Sequence, residues 1–311
     1  MRVVVTGATS FIGAVTTGQL LRKGHEVCAV ARPGSRNMKN LWDHVPEKLR
    51  KSLTVAEVAM EEIEKVSQQT GGPADAWIHT CWEGAGSHNR ALRDVQQANV
   101  ACSLAAVRAA AGMGCKRFLF TGSQAEYGVC HEPVSETAPC RPVSEYGKAK
   151  VDFSLQAEKL CRDLEMEYIH TRIFSIYGPG DHPWTLVQSC LRTWQQGGRM
   201  ELGECTQWWN FLYIEDASRA LVSLLEEGRA GCYNVAGSDT RRLREFVREM
   251  HALCGGRGSY TFGKRPDNAE GPADLLPDIK KICGETGWRP ETPFAEGIHE
   301  TLHCLPEAAS G

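Results

Sequence analysis

The sequence lacks several features that would settle its class at once. Its 13 cysteines include no Cys-x-x-Cys pair, which excludes zinc ribbons and thioredoxin-like redox pairs. They are odd in number and scattered, so a reduced, cytoplasmic protein with mostly buried thiols is expected rather than a disulfide framework. There is no run of about 18 apolar residues, and no membrane span is expected. The N-terminal stretch MRVVVTGATSFIGAV is apolar, but two glycines interrupt it and no basic segment precedes a long apolar core. It does not read as a signal peptide. Neither charge sign is in excess: 35 Lys and Arg face 38 Asp and Glu, for a net charge of −3. The basic residues are spread along the chain, so no nucleic-acid surface is expected. Repeats, low-complexity tracts and metal-ligand constellations are also absent. What remains is ordinary globular composition over 311 residues, enough for one large domain or a main domain with a smaller partner.

The first half alternates apolar strands with amphipathic helices. Strands are expected at 2–7, 26–32, 53–58, 75–81, 116–123 and 166–174. Helices are expected from the first glycines to about Lys23, near MEEIEKVSQQ, over 89–114, and from SEYGKAK onward. This alternation implies an α/β protein with a doubly wound parallel sheet. After about residue 178 the pattern loosens into Pro- and Gly-rich pieces such as YGPGDHPW and FGKRPDNAEGPAD. Residues 1–178 are read as mainly a dinucleotide-binding (Rossmann) domain. Residues 179–311 are read as mainly a smaller C-terminal substrate lobe, with some segments returning to the sheet.

The turn VVVTGATSFIGAV joins the first strand to the first helix. Gly7 and Gly13 fit the ends of a Gly-x-x-Gly-x-x-Gly spacing, with Ser10 in the middle place. Glycines permit a tight turn and close approach to a pyrophosphate at a helix N-terminus. Thr9, Ser10, Phe11 and Ile12 complete the expected cofactor turn, and the Ser10 hydroxyl is placed to donate to a phosphate. NAD-binding folds place an acid about 20 residues on, to hold the ribose 2′-hydroxyl. Here Glu26 comes too early, Asp43 too late, and Arg32 stands at the strand end. An arginine suits a 2′-phosphate, so NADP is the expected cofactor, with NAD the alternative.

In VSEYGKAKVDF (143–153), Tyr146 and Lys150 are four apart and share a helix face, while Lys148 points elsewhere. A free tyrosine titrates near pH 10; lowering that by roughly 3 units takes about 4 kcal/mol. A nearby ammonium in a partly buried site supplies much of it. Ser123 ends the strand FLFTGS, at the sheet edge where ligands bind, and offers a hydroxyl to polarise a carbonyl.

The pieces TGATSFIG, DAWIHTCW, ANV, FTGSQAEYG, YGKAK, TRIFSIYGPGD, NFLYIEDASRAL, CYNVAGS and ICGETGWRPET run in order along nearly the whole chain. In them the sequence resembles the extended short-chain dehydrogenase/reductase family, and within it the nucleotide-sugar epimerases, dehydratases and 4-ketoreductases. The resemblance implies a catalytic set of Ser123, Tyr146 and Lys150, with Asn99 supporting the lysine. Tyr146 and Lys150 also border the cofactor, and Thr80, Cys81 and Trp82 face cofactor and substrate. The resemblance also implies a nucleotide-sugar substrate and a homodimer through the helices 89–113 and 145 onward. His79 reads as structural.

Several positions depart from the family pattern. Gln124, Ala125 and Glu126 stand where dehydratases carry an Asp-Glu pair, which disfavours 4,6-dehydration. Glu126 is either an acid acting on substrate or a polar wall. Trp209 replaces an arginine and Ser175 an asparagine; Arg265 matches a position that meets nucleotide phosphates. Trp208 and Trp209 either stack on a base or sugar or fill the lobe core. The main reading is reduction of a 4-keto nucleotide sugar. The alternatives are an epimerase retaining NAD and a reductase of an apolar ketone, the latter suggested by the strand end ARPGS. A cofactor-sensing regulator would carry a broken Tyr-x-x-x-Lys, and here that motif is intact.

Overall fold

Val3, Val4 and Val5 are all fully buried, so the first strand is covered on both faces and belongs at the middle of a sheet. The computed structural model of the chain describes residues 1–86, 89–266 and 273–305. Its strands are β1 Arg2–Thr6, β2 Glu26–Ala31, β3 Leu53–Glu57, β4 Ala76–His79, β5 Arg117–Ser123, β6 Glu167–Ile173, β7 Ser175–Tyr177, β8 Arg199–Glu201, β9 Trp208–Tyr213, β10 Gly231–Val235, β11 Thr240–Arg242 and β12 Ser259–Thr261. Its α-helices are α1 Phe11–Arg22, α2 Met38–His44, α3 Ser67–Thr70, α4 Arg93–Gly112, α5 Glu145–Asp163, α6 Leu186–Gln195, α7 Ile214–Glu227, α8 Leu243–Leu253, α9 Lys280–Thr286 and α10 Phe294–His303.

Seven strands form one parallel sheet in the order β10-β6-β5-β4-β1-β2-β3. Side chains alternate between its faces. Val3, Val5 and Ala29 join α1 and α7 through Leu20, Leu21, Leu221 and Leu224. Val4, Cys28 and Phe118 join α4 and α5 through Val107 and Phe153. The chain builds outward from β1 to β3, then crosses to β4 on the other side. The strand order thus switches between β1 and β4, where α/β sheets open a crevice at their carboxyl ends.

The smaller part holds a three-stranded sheet, β11-β9-β7, and a two-stranded one, β12-β8. They surround Trp194, Phe246 and Phe294 on α6, α8 and α10. β10 and α7 lie beyond residue 179 yet belong to the main body: β10 pairs with β6 and α7 packs into the core beside α1.

Two elements differ from expectation. The segment near MEEIEKVSQQ is a 3-10 helix over Met60–Val66, followed by the four-residue α3. Its buried residues Ile63 and Val66 are three apart, the spacing that a three-residue turn stacks on one side. The long fourth helix begins at Arg93, after a separate 3-10 turn at Asn89–Ala91. Part of the segment FGKRPDNAEGPAD, residues 267–272, lies outside the described residues.

Candidate active site

The turn after β1 places α1 with its N-terminus at the switch point. Gly7 adopts φ +74°, and a Cβ there would lie 2.9 Å from the Cys81 amide nitrogen. A Cβ on Gly13 would lie 2.1 Å from the Gly7 carbonyl oxygen, so the helix can sit this close only as glycine. Phe11 and Ile12 begin α1, and first-turn N–H groups have no partner within the helix. They face the place a pyrophosphate takes in such turns. The Ser10 hydroxyl also has a structural role. It caps α1, accepting from the Gly13 N–H at 3.1 Å, and lies 3.4 Å from Thr80 Oγ1. Thr80 in turn donates to the Thr6 carbonyl at 2.8 Å.

Thr9 lies 3.2 Å, hydroxyl to hydroxyl, from Ser35, and its carbonyl accepts from Asn40 at 3.3 Å. Arg32 is exposed just past β2. Sequence reasoning missed Glu57. Parallel pairing sets Ala31 opposite Glu57, and this carboxylate accepts from the Gly34 N–H at 3.4 Å. An acid therefore stands beside the β2 end after all, supplied by the neighbouring strand.

Ser123 ends β5 and opens a reciprocal cap. Its hydroxyl accepts from the Ala125 N–H at 3.2 Å, and Glu126 accepts from the Ser123 N–H at 2.8 Å. The expectation that Glu126 meets substrate is corrected here. The residue is fully buried, and its second oxygen accepts from His170 at 2.8 Å and Arg172 at 3.0 Å. Burial works to raise its carboxyl, but His170 and Arg172 outweigh that and hold it below the usual range. Gln124, beside it in the same turn, is half-buried.

Tyr146 and Lys150 lie on one face of α5, both buried. A Cβ on Gly147 would come within 2.6 Å of the Ala125 carbonyl oxygen, so glycine lets the first turn of α5 press on the Ser123 cap. Lys150 donates to the Thr121 carbonyl at 2.8 Å. Its ammonium lies 4.0 Å from the Trp82 ring centroid, 4.3 Å from Phe120 and 5.5 Å from Tyr146. Burial pushes Lys150 down to about 7, against the opposing pull of Glu126 and Cys81. Burial pushes the Cys81 thiol up to about 11. His79 bonds Thr6 at 2.6 Å and Ser103 at 3.0 Å; burial, then Lys150, brings it down to about 3, so it stays neutral.

One further expectation is corrected. Asn99 does not reach the lysine: it donates to the carbonyls of Glu83 and Val95 and accepts from the Glu83 N–H at 2.8 Å, pinning the loop after β4. Trp82 is half-buried beside Lys150 and Tyr146, and its indole N–H donates to Gln96 at 2.8 Å. Sequence reasoning also gave no place to Arg90, whose guanidinium carbon lies 4.5 Å from the Tyr146 ring centroid.

In the lobe, Ser175 on β7 is half-buried and pairs in register with Phe211. Trp209 is half-buried and packs against both the Phe211 and the Tyr127–Phe174 clusters. Trp208 is the exposed member of the pair, 4.4 Å beneath Arg242. Arg265 is exposed, and its N–H donates to the Leu202 carbonyl at 3.1 Å. A separate lobe cavity of about 520 Å³, floored by Phe211, Phe246 and Phe294, contains none of the expected site residues. Among the described residues no cluster of His, Cys, Asp or Glu is arranged to hold a metal, and no helix is long and apolar enough to cross a membrane.

The site thus joins a glycine cradle that fits a dinucleotide with a serine, a phenol and an amine at the ends of β4 and β5. The chain is 24% identical, over all of its length and all of the relative's, to an uncharacterized UDP-glucose epimerase of Bacillus subtilis. It is 24% identical to UDP-glucuronic acid decarboxylase 1 of Xenopus tropicalis over 97% of this chain and 71% of that protein. Its fold matches the UDP-glucose 4-epimerase of Thermotoga maritima with a TM-score of 0.85 at 21% identity, covering 98% of both chains. It also matches the dTDP-glucose 4,6-dehydratase of Streptomyces venezuelae, solved with NAD bound, with a TM-score of 0.86 at 24% identity, covering 98% and 96%. Residues 3–236 match the model of the NAD dependent epimerase/dehydratase family, and the chain belongs to that family of enzymes.

Proposed function

We propose that this enzyme is a nucleotide-sugar epimerase that oxidises and re-reduces one sugar carbon without exchanging its NAD-type cofactor. The observation that carries this reading is the sealed state of Glu126. The one acid of the turn after Ser123 is buried against His170 and Arg172, so proton transfer falls to Tyr146 alone. A single acid–base group suits removal and return of hydride at one carbon. Elimination of water needs a second group to protonate the departing hydroxyl, which disfavours a dehydratase. The relatives and structural neighbours named for epimerase activity support the same choice over a ketoreductase.

When bound, the nicotinamide supplies a hydride acceptor and donor. Phe11 and Ile12 offer first-turn N–H groups to the pyrophosphate. Tyr146 takes the proton of the sugar hydroxyl and later returns it. The Ser123 hydroxyl accepts from Ala125 and keeps its own hydrogen to donate to the reacting oxygen, favouring developing negative charge there. Lys150 lies along the same helix face and favours the phenolate.

A second reading, reduction of a 4-keto nucleotide sugar by NADPH, is favoured by one observation: Arg32 is exposed at the end of β2, where a 2′-phosphate would sit. Glu57 beside the same turn favours a free 2′-hydroxyl instead. The experiment is to denature the purified enzyme and identify the dinucleotide released. Untreated enzyme is then assayed for interconversion of UDP-, dTDP-, CDP- and GDP-sugars without added cofactor. Retained NAD with turnover supports the epimerase. An empty site and turnover only with NADPH supports the reductase. We further propose a cytoplasmic homodimer through α4 and α5, whose outer surface exposes Leu155.

A further inference from the structure

The geometry of Arg90 carries one inference beyond that function, resting on the reading of Tyr146 as the acid–base group. We propose that Arg90 is a positioning residue for Tyr146: its guanidinium, lying over the phenol ring, fixes the ring in the cleft and favours the phenolate. Arg90 lies in the 3-10 turn Asn89–Ala91 between β4 and α4, on a different element from Tyr146, and meets the ring at 4.5 Å. A cation over an aromatic face is attracted by the ring's electron density, and the attraction grows when that ring carries a negative charge. The Trp82 indole also packs on this phenol, meeting the Tyr146 ring edge-on at 6.3 Å. The phenol thus has a guanidinium at 4.5 Å, an indole at 6.3 Å and the Lys150 ammonium at 5.5 Å from its ring centroid.

The two cations near the phenol are not equivalent. Lys150 is sealed among Trp82, Phe120 and the Thr121 carbonyl, and burial brings it down to about 7. Near neutrality its charge is only partly present. A guanidinium keeps its charge across the whole working range. Arg90 therefore supplies the positive charge that does not titrate. The other charged and titratable groups nearby act elsewhere. Glu126 and Cys81 raise Lys150 while Arg90 itself lowers it, so the two cations compete and the fixed guanidinium charge prevails; His79 stays neutral, and Glu145 is paired with Lys148 at 2.7 Å on the exposed side of α5.

The test needs no substrate. Seven tyrosines are present, and five of them, Tyr127, Tyr168, Tyr177, Tyr213 and Tyr233, are pushed far up by burial. The near-ultraviolet phenolate absorbance of the full-length protein, minus that of Tyr146→Phe, therefore isolates Tyr146 as pH is raised. Arg90→Gln and Arg90→Met are expected to move its midpoint up by about one pH unit, roughly tenfold in phenolate. Arg90→Lys is expected to recover most of that. An unchanged midpoint in both neutral variants overturns the proposal, as does an Arg90→Lys shift as large as theirs. Loss of the fold in both neutral variants would assign Arg90 to structure and overturn it too. Absence of nucleotide-sugar turnover in the wild type would count against the proposed function alone, because the titration stands without it.

Discussion

Lys150 shows how one side chain is held at a cost to the fold. Its pKa is lowered from the ordinary lysine value of 10.5 to about 7, so the native state gives up the proton more readily than the unfolded chain. The native penalty is full below about pH 7 and fades as pH rises toward 10.5, which means stability rises with pH across that window. Lys150→Met should therefore raise unfolding free energy by about 2 kcal/mol at neutral pH, after allowing for the orphaned Thr121 carbonyl. Its advantage should shrink toward pH 10, and melting curves at several pH values would check both signs. Glu126 behaves in the opposite sense. Its lowered pKa contributes stability present above about 4.5, lost as pH falls through the folded value. Glu126→Gln leaves His170 and Arg172 facing no charge, and roughly 3–5 kcal/mol of stability should be lost in urea unfolding. Activity per folded molecule should survive, since the side chain does not reach the cleft; its abolition would restore Glu126 to the chemistry. Tyr146→Phe should do the reverse, lowering kcat by about 10²–10⁴ while cofactor affinity, read by calorimetry, stays within about twofold.

Among the elements, α1 matters most because its N-terminus faces the switch point. Its approach depends on Gly13, where an added Cβ would sit 2.1 Å from the Gly7 carbonyl oxygen, inside any van der Waals limit. Gly13→Ala must push α1 away from β1 and tilt the Phe11 and Ile12 N–H groups. Dinucleotide affinity should fall at least about tenfold, the loss of one or two well-aligned anion contacts, as measured by titration calorimetry. The strand–turn–helix reading of this region needed only local signals: buried β-branched residues, two glycines and a capping serine. The role of Ser10 was less legible. Its position suggests a phosphate donor, and the structure adds a cap on Gly13, which satisfies an orphan N–H whether or not a ligand is bound and leaves the hydroxyl hydrogen to donate. Arg32 gave a similar half-answer, because the acid beside it comes from β3, and only the pairing of Ala31 with Glu57 brings the two together.

At the scale of the whole molecule, the lobe and the dinucleotide-binding body are not separable pieces of chain. α7 contributes Leu221, Leu224 and Leu225 to the core that covers one face of the main sheet, and β10 covers the open edge of β6. A fragment ending at residue 178 would lose both, baring an apolar face and an unpaired edge. We expect it to be aggregated or molten, with near-ultraviolet circular dichroism lost while the full chain keeps it. A soluble, cooperatively melting fragment would contradict this account.

Sequence by itself determined what depends on near neighbours. The strand–helix rhythm, the glycine turn, and the shared helix face of Tyr146 and Lys150 follow from backbone periodicity and short spacings, which hold in any surroundings. Tertiary structure alone decided what surrounds those groups. It sealed Glu126 against His170, 44 residues away, turned Trp82 onto Lys150, sent Asn99 to the Glu83 loop and laid Arg90 on Tyr146. Burial and charge partners arise only when distant segments meet, and they set the energy of an ionised side chain far more strongly than its place in the chain does.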